Sequence, residues 1–170
     1  MPLSPCRECQ QEISTEASFC PHCGAPRPAD RQWQGPGFEW RSAQTFYGYP
    51  LIHVAFGKDA TGKRRVAKGI IAIGQFGFGV ITVAQFGVGL LFGFGQFIFG
   101  LTALAQFAGA LLMGVGQFAS GYVAVGQIVL AKIGLAQMGL AEALWSPNRR
   151  DPEAVEFFQQ LWDTLRSWWV

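Results

Sequence analysis

The residues best suited to chemistry are four cysteines in the first part of the 170-residue chain. They form two C-x2-C pairs separated by ten residues: Cys6, Cys9, Cys20 and Cys23. Four thiolates spaced in this way suit the closed tetrahedral coordination that Zn²⁺ takes at structural sites. Two disulfides are the alternative, and a cytoplasmic location would disfavour them. The spacing therefore predicts a Zn²⁺ site with all four cysteines as ligands, and His22 is expected to be a bystander.

The second cysteine pair lies in the sequence "FCPHCG", where Gly24 suits the tight turn that directs both sulfurs at one ion. The stretch from about residue 4 to residue 25 resembles the short bacterial zinc-ribbon domain. That resemblance implies metal binding and little more. We therefore predict a zinc ribbon over residues 1–25, followed by a linker rich in Pro, Gly and charge over residues 26–37.

The first residues show no signal peptide, because "MPLSPCRECQQEISTE" lacks a basic start followed by an apolar stretch. We expect this part of the chain to stay in the cytoplasm.

Residues 38–68 are predicted to form a small polar β element that caps the hydrophobic repeat of residues 69–141. Leu51–Phe56 alternates and is β-prone, 57–62 resembles a turn, and Arg64–Ala67 could return as a second strand. The same turn, "GKDATGK", matches the start of a phosphate-binding loop. However, Arg64 stands where that loop needs Ser or Thr, so a solvated turn is the better interpretation.

Residues 69–141 contain an internal repeat. Seven glutamines stand 10 or 11 residues apart, at Gln75, Gln85, Gln96, Gln106, Gln117, Gln127 and Gln137. The sequence repeats every 21 residues, with a Gly or Ala at every fifth position. From residue 69 to residue 131 no Asp, Glu, Lys, Arg or His occurs.

Two structures could accommodate this repeat. Transmembrane helices are one, but the run offers no polar loops between spans, and each glycine costs about 1 kcal/mol in a helix relative to Ala. A parallel β-solenoid of about 3–4 coils is favoured, with one 21-residue copy per coil and the small residues at its corners. Its glutamines should then form two hydrogen-bonded ladders, with Phe76, Phe97 and Phe118 stacked in one row and Phe86 and Phe107 in another.

The exterior of such a solenoid would be apolar, since a coil points only about half of its side chains inward. A soluble monomer rarely exposes so large an apolar surface. We therefore expect this exterior to face membrane lipid, other copies of the chain in a homo-oligomer, or both.

Residues 151–170 are predicted to form an amphipathic helix that begins at Asp151 and Pro152. Its apolar face carries seven residues at helical spacing: Val155, Phe158, Leu161, Trp162, Leu165, Trp168 and Trp169. This stripe suits a membrane interface, packing against the end of the solenoid, or both.

The stretch "YGYPLIHVAFGKDATGKRRVAKGIIAIGQFGFG" together with the ribbon resembles a family of bacterial proteins that join a zinc ribbon to a Gly-rich hydrophobic repeat. The similarity runs from about Gly48 to Gly139. It implies a membrane-associated β-helix and brings no catalytic residues with it.

The function predicted from these observations is a structural or scaffold protein rather than an enzyme, with the ribbon as a cytoplasmic docking module. Residues 69–131 contain no general acid or base, the polar remainder shows no convincing constellation of catalytic groups, and no small-molecule substrate is evident. A polytopic helical membrane protein is one alternative. A zinc-ribbon regulator that binds nucleic acid is another, although a net charge of only +2 makes nucleic acid an unlikely partner. Its basic patch would be Lys58, Lys63, Arg64, Arg65 and Lys68.

Basic residues flank the repeat on both sides, so we expect association with the bacterial inner membrane with both ends cytoplasmic. Coils of 21 residues would give an axis of roughly 17 Å, too short to cross a hydrocarbon core of about 30 Å.

Overall fold

The computed structural model describes residues 2–168, and this part of the chain is mainly β with one α-helix. The strands are β1 (Leu3–Pro5), β2 (Glu12–Ser14), β3 (Phe38–Arg41), β4 (Thr45–Phe46), β5 (Tyr49–Pro50), β6 (Ile52–Phe56) and β7 (Ala67–Trp145), and the helix is α1 (Pro152–Ser167). The chain divides into two compact units. The ribbon unit contains the residues up to Gly37 together with Lys58–Lys63, and the repeat unit contains Phe38–Gly57 and everything from Arg64 onward.

The ribbon unit is built on an antiparallel pair, β1 and β2, with Leu3 opposite Ser14. The segment predicted as a linker, residues 26–37, packs in the same unit. The Arg7 N–H donates to the Pro28 carbonyl at 2.9 Å, and the Arg7 guanidinium lies 4.3 Å from the Trp33 ring centroid. These contacts make residues 26–37 a second layer on the zinc ribbon.

The turn predicted at residues 57–62 is present in the structure. The Asp59 carboxylate accepts hydrogen bonds from the N–H groups of Thr61 and Lys63 at 2.9 and 3.0 Å. A short acidic side chain that binds its own backbone in this way stabilises a tight turn.

The repeat unit begins with a three-stranded sheet in the order β3-β6-β7. β6 pairs antiparallel with β3 and parallel with β7, where Ile52 lies opposite Ile71. The predicted return strand over Arg64–Ala67 is therefore wrong, since β7 begins at Ala67 and runs parallel to β6. A parallel neighbour requires the chain to cross back to the same end of the sheet, and the loop between β6 and β7 makes that crossing.

β7 places residues ten or eleven positions apart against each other. The rings of five phenylalanines form one continuous row: Phe76, Phe86, Phe97, Phe107 and Phe118. Successive centroids in this phenylalanine row are 5.7, 6.1, 4.2 and 4.7 Å apart. Tyr122, Lys132 and Glu142 repeat the pattern: the Lys132 Nζ lies 5.4 Å from the Tyr122 ring centroid and 3.9 Å from a Glu142 oxygen.

The prediction of two separate phenylalanine rows, with 21 residues between neighbours, is wrong. The physical reason is that chain segments half a repeat apart are adjacent in space. Each 21-residue repeat therefore contains two successive segments of β7, each of 10 or 11 residues, that lie next to each other. These segments are called passes.

The interior of β7 is narrow and is filled by small residues. Its main buried cluster contains Ile98, Val129 and Leu144 among alanines such as Ala108 and Ala119. Residues five positions apart face each other across this interior. A Cβ placed on Gly77 would lie 2.7 Å from the Thr82 Cγ2, and one on Gly134 would lie 3.0 Å from the Val129 Cγ2. Thr82 and Val129 are thus each opposite a glycine across the interior.

Several glycines of β7 permit close approach between neighbouring parts of the chain. A Cβ on Gly95 would overlap the carbonyl oxygen of Ala84, and one on Gly116 would overlap that of Ala105. Among the described β7 residues, only Gly121 has a positive φ, at 152°. These contacts show tight packing between adjacent passes, and the assignment of the regularly spaced small residues to corners stays a prediction.

The glutamines of the repeat do not form the predicted ladders. Gln75 is half-buried and its Oε1 accepts from the Gly57 N–H at 3.3 Å, whereas the other six are exposed. Within the described part of β7, no glutamine side chain hydrogen-bonds another. Their amides point outward beside the phenylalanine row, where solvent or a partner can reach them.

The alternative prediction of transmembrane helices is wrong for this run, because residues 69–141 lie within β7. No helix among the described residues combines the length and apolar character that crossing a membrane requires.

The predicted C-terminal helix is present as α1, with Asp151 at its N-cap and Pro152 in its first turn. Ala154 and Phe158 are buried in a cluster with Ile133 and Ala143 of β7. The rest of the predicted apolar stripe is divided between two environments. Val155 and Leu161 are partly buried, Trp162, Leu165 and Trp168 are exposed, and Trp169 lies outside the described residues.

Candidate metal centre and exposed apolar surface

The four cysteines converge on one point in the ribbon unit. Their sulfur atoms all lie within 4.8 Å of one another, with 3.7 Å between Cys6 and Cys23 and 3.7 Å between Cys9 and Cys20. Four sulfurs around Zn²⁺ at about 2.3 Å would be about 3.8 Å apart in an ideal tetrahedron. A disulfide would need about 2.05 Å, so the disulfide alternative is wrong. The arrangement fits Zn²⁺, as predicted.

Two similar turns present the sulfurs. The Gln10 N–H donates to the Cys6 carbonyl at 3.0 Å, and the Gly24 N–H donates to the Cys20 carbonyl at 2.9 Å. Both turn residues have positive φ, 62° at Gln10 and 76° at Gly24. Gly24 confirms the predicted turn. The sequence does not predict the turn at Gln10, since a non-glycine residue seldom adopts a positive φ.

The environment separates the pKa values of the thiols. The backbone N–H of Cys9, helped by that of Glu8, lowers the pKa of Cys6 to about 7 against the effect of desolvation. The Ala25 N–H acts to lower the pKa of Cys23, but desolvation and hydrogen bonds with the other three thiols raise it to about 12. Four adjacent thiolates therefore repel one another, and a divalent cation offsets that repulsion. His22 is exposed and is not part of the four-sulfur cluster.

The second candidate site is the outer surface of β7, which is apolar over most of its length. Exposed large apolar residues occur throughout the repeat: Phe78, Val83, Phe86, Leu90, Leu91, Phe92, Phe94, Phe97, Phe99, Leu104, Leu111, Leu112, Met113, Tyr122, Ile128, Leu130, Met138 and Leu140. The exposed fraction reaches 74% at Leu111 and 75% at Leu140. Soluble monomers rarely expose a contiguous apolar surface of this extent.

A polar cluster closes the β3 end of the repeat unit. The Glu39 carboxylate accepts from Arg41 and Arg65 and lies 3.2 Å from the Nε2 of buried His53. The Lys68 N–H donates to the His53 Nδ1 at 2.8 Å, so both ring nitrogens of His53 have partners within the fold. Burial acts to raise the pKa of Glu39, but Arg41, Arg65 and His53 hold it below its ordinary value.

A second polar cluster closes the other end of β7. The Arg149 guanidinium donates to the carbonyls of Ala141 and Glu142 at 3.3 and 2.9 Å. The Asp151 carboxylate accepts from the Leu144 N–H at 2.7 Å and pairs with Arg149 at 2.8 Å. These groups cover part of an edge that would otherwise be open to further strand pairing. Sequence reasoning assigned Asp151 to the helix N-cap and missed this contact, because it depends on the tertiary fold.

One of the five residues of the basic patch proposed from the sequence is not free on the surface. Lys58 and Lys63 belong to the ribbon unit, whereas Arg64, Arg65 and Lys68 belong to the repeat unit. Arg65 is also largely buried and paired with Glu39. Because Glu39 neutralises Arg65, the patch carries less net positive charge for phosphate binding than the sequence suggested.

Comparison with curated proteins and with solved structures gives no match to this chain. Comparison with family models gives one match, which covers the metal centre: residues 6–27 are similar to the zinc-ribbon domain family.

Proposed function

We propose that this chain is a non-enzymatic structural protein in which a hydrophobic β-solenoid associates with membrane lipid and with further copies of itself. The observation that carries the proposal is the exposed apolar surface of β7, together with the absence of charge from residue 69 to residue 131. A scaffold of this kind needs surface and rigidity rather than a catalytic cleft.

The solenoid interpretation is supported by the spacing of contacts along β7. Ring stacking at steps of ten or eleven residues and opposed interior residues at steps of five fit a flat coil of about 10.5 residues with two strands per coil. Parallel stacking of such coils satisfies the backbone hydrogen bonds of every inner coil. Only the first and last coils then present an edge.

Association between copies is supported by the glutamine row, defined as the six exposed glutamines of β7: Gln85, Gln96, Gln106, Gln117, Gln127 and Gln137. An amide left without a partner in hydrocarbon costs about 4–8 kcal/mol, so this row would not face lipid alone. Each amide carries a donor and an acceptor, and the same spacing recurs on a second copy. Two glutamine rows can therefore hydrogen-bond each other, with the phenylalanine rows packed beside them.

The zinc ribbon is proposed as a docking module on the cytoplasmic side. Leu3 and Phe19 are 62% and 67% exposed on the ribbon unit. Phe19, Pro26, Trp33 and Pro36 contribute to the lining of a 400 Å³ groove in the same unit. Apolar side chains held outward by a metal-stabilised fold suit a protein partner better than a small substrate.

The proposal is tested by synthesising the full chain in a cell-free system with Zn²⁺, with and without vesicles of phosphatidylcholine and phosphatidylglycerol. We expect the chain to float with the vesicles and to resist extraction by alkaline carbonate. Without vesicles it should aggregate or require detergent. A chain that stays monomeric in plain buffer and does not float would refute the membrane proposal.

Association through the glutamine row is tested by photo-crosslinking. Benzoylphenylalanine replaces Phe107, beside the row, or Leu112, which is exposed but lies outside it. We expect a covalent dimer from position 107 and much less from position 112, and Gln96→Leu with Gln117→Leu should reduce the dimer. Equal dimer yield from both positions, or lipid adducts alone from position 107, would contradict this interface.

A further inference from the structure

We propose that the repeat unit spans a lipid bilayer along the solenoid axis, so that its β3 end and its α1 end lie on opposite sides of the membrane. This inference rests on the proposed membrane association and goes beyond it. It replaces the expectation of both ends on one side, which rested on the basic residues that flank the repeat, and the axis length of roughly 17 Å, which depended on coils of 21 residues.

The length of the uncharged stack supports crossing. The 63 residues from 69 to 131 make about six coils of 10 or 11 residues. At about 4.8 Å per coil, six coils amount to roughly 29 Å, close to the hydrocarbon thickness of about 30 Å. Coils of 21 residues would have given only about half of that length.

The hydrogen-bonding geometry is compatible with a hydrocarbon environment. Strand pairing in a solenoid runs parallel to the axis, so the inner coils leave no backbone donor or acceptor facing lipid. The two edges occur only at the ends of the stack. One is covered by β3 paired to β6, and the other is partly covered by Arg149 and Asp151. Both edges would lie at the level of the headgroups or in water.

Charged residues are placed where the two headgroup regions would be. Arg64 and Lys68 are exposed near the start of β7, while Lys132, Glu142 and Arg150 are exposed near its end. A solenoid lying flat on one leaflet would not require charge to be confined to both ends of its axis.

Aromatic residues mark the same two levels. At the β3 end, Trp40, Tyr47 and Tyr49 are 48%, 89% and 55% exposed. At the α1 end, Trp162 and Trp168 are 67% and 80% exposed. Tyr and Trp are enriched at both interfaces of membrane-spanning proteins, because their rings combine an apolar body with a polar group. The described part of the repeat unit therefore has an aromatic belt at each end of an uncharged stack.

The glutamine row is the feature least suited to hydrocarbon, and the proposed pairing between copies shields it. A spanning pair would present outward residues such as Phe78, Phe94 and Leu111 to lipid, and would keep the amides and the phenylalanine row between the two chains. The smallest spanning form is therefore a dimer.

A double-cysteine variant tests the crossing directly. Ala43→Cys lies in the exposed segment between β3 and β4, and Asn148→Cys lies in the exposed segment after β7. The Zn²⁺-loaded full-length variant is reconstituted into vesicles of 18-carbon phosphatidylcholine and treated with a membrane-impermeant maleimide. The number of labels per molecule is then read by mass spectrometry. The unsubstituted chain supplies the correction for the four native thiols, and labelling in detergent verifies that both new sites react.

Counting labels per molecule makes the result independent of how the protein is oriented in the vesicles. A spanning chain exposes one site inside and one outside, so we expect almost every molecule to carry one label. The matched control, Asn148→Cys with Glu156→Cys, has both sites at the α1 end and should give molecules with two labels or none.

Two further outcomes separate this inference from the proposed function. Vesicle-bound protein that carries two labels or none at positions 43 and 148, as the control does, would overturn the spanning arrangement and leave membrane association intact. Protein that does not bind vesicles at all would overturn both.

Discussion

The pairing of large and small residues across the interior of β7 predicts a strong coupling between Gly93 and Ile98. Ile98 is fully buried, and a Cβ on Gly93 would overlap its Cγ2. Ile98→Ala removes a buried aliphatic side chain and leaves a cavity, at a cost of about 2–5 kcal/mol. Gly93→Ala places a methyl group where the Ile98 side chain lies, at a cost of about 1–3 kcal/mol.

The double variant should lose less stability than the two single variants added together. With Ala at position 98, the methyl group at position 93 occupies space that the isoleucine has vacated. We expect a coupling of about 1–3 kcal/mol, the range found for residues in direct contact. A chain in which these residues are not opposed would give no such coupling.

The assay is urea unfolding of the full chain in a mild detergent, followed by far-ultraviolet circular dichroism. Leu112→Ala provides the control, because Leu112 is 52% exposed and its truncation should cost little. Additivity of Gly93→Ala and Ile98→Ala within about 0.5 kcal/mol would refute the reasoning that residues five apart face each other.

Three further predictions concern the metal centre and the end of β7. Cys20→Ser should abolish stoichiometric zinc binding, measured by inductively coupled plasma mass spectrometry. It should also destabilise the ribbon unit while β7 keeps its circular dichroism signal. One zinc per chain in this variant would exclude Cys20 as a ligand. The Leu144 N–H, with Arg149, holds the pKa of Asp151 below its ordinary value. The Asp151 carboxylate therefore stabilises the fold above the unfolded pKa of about 3.9, and this stabilisation is lost as pH falls through the folded pKa. The unfolding midpoint should therefore drop on acidification below about pH 4, and Asp151→Asn should lower it at pH 7 and weaken this dependence; an unchanged pH profile would contradict that role. Arg149→Ala should uncover the carbonyls of Ala141 and Glu142 and increase end-to-end association, seen as larger particles by light scattering, whereas Arg149→Lys should have a smaller effect.

The metal centre was predictable from the sequence because its chemistry is local. Two C-x2-C pairs bring their sulfurs together through short turns, and Gly24 identifies one of those turns. The second layer of the ribbon unit was not predictable, since the Arg7 contacts with Pro28 and Trp33 join residues that composition alone assigns to a linker.

The β structure of the repeat was predictable, but its period in space was taken to be twice too long. The glutamines recur every 10 or 11 residues, which is the spacing of neighbouring passes. The sequence itself repeats only every 21 residues because every second pass contains one additional residue. That residue lies in "LLFGFG" in the first repeat and in "LLMGVG" in the second. The shorter step between glutamines was therefore the better guide to the structure.

The role of the small residues could not be read from the sequence. A Gly or Ala at every fifth position is compatible with corners and with a narrow interior, and the sequence alone does not separate the two. Thr82 belongs to the interior, since it is fully buried and its hydroxyl donates to the Val88 carbonyl at 2.8 Å.

Labelling by a photoreactive lipid tests most directly the central claim that the exterior of β7 faces hydrocarbon. The full chain in vesicles that contain a diazirine-bearing phosphatidylcholine would be irradiated, digested and mapped by mass spectrometry. We predict adducts at outward positions of β7 such as Phe78, Phe94 and Phe99, and none at buried positions such as Ala103 and Ala108. Adducts confined to α1, or no adducts on a vesicle-bound chain, would contradict a lipid-facing β7.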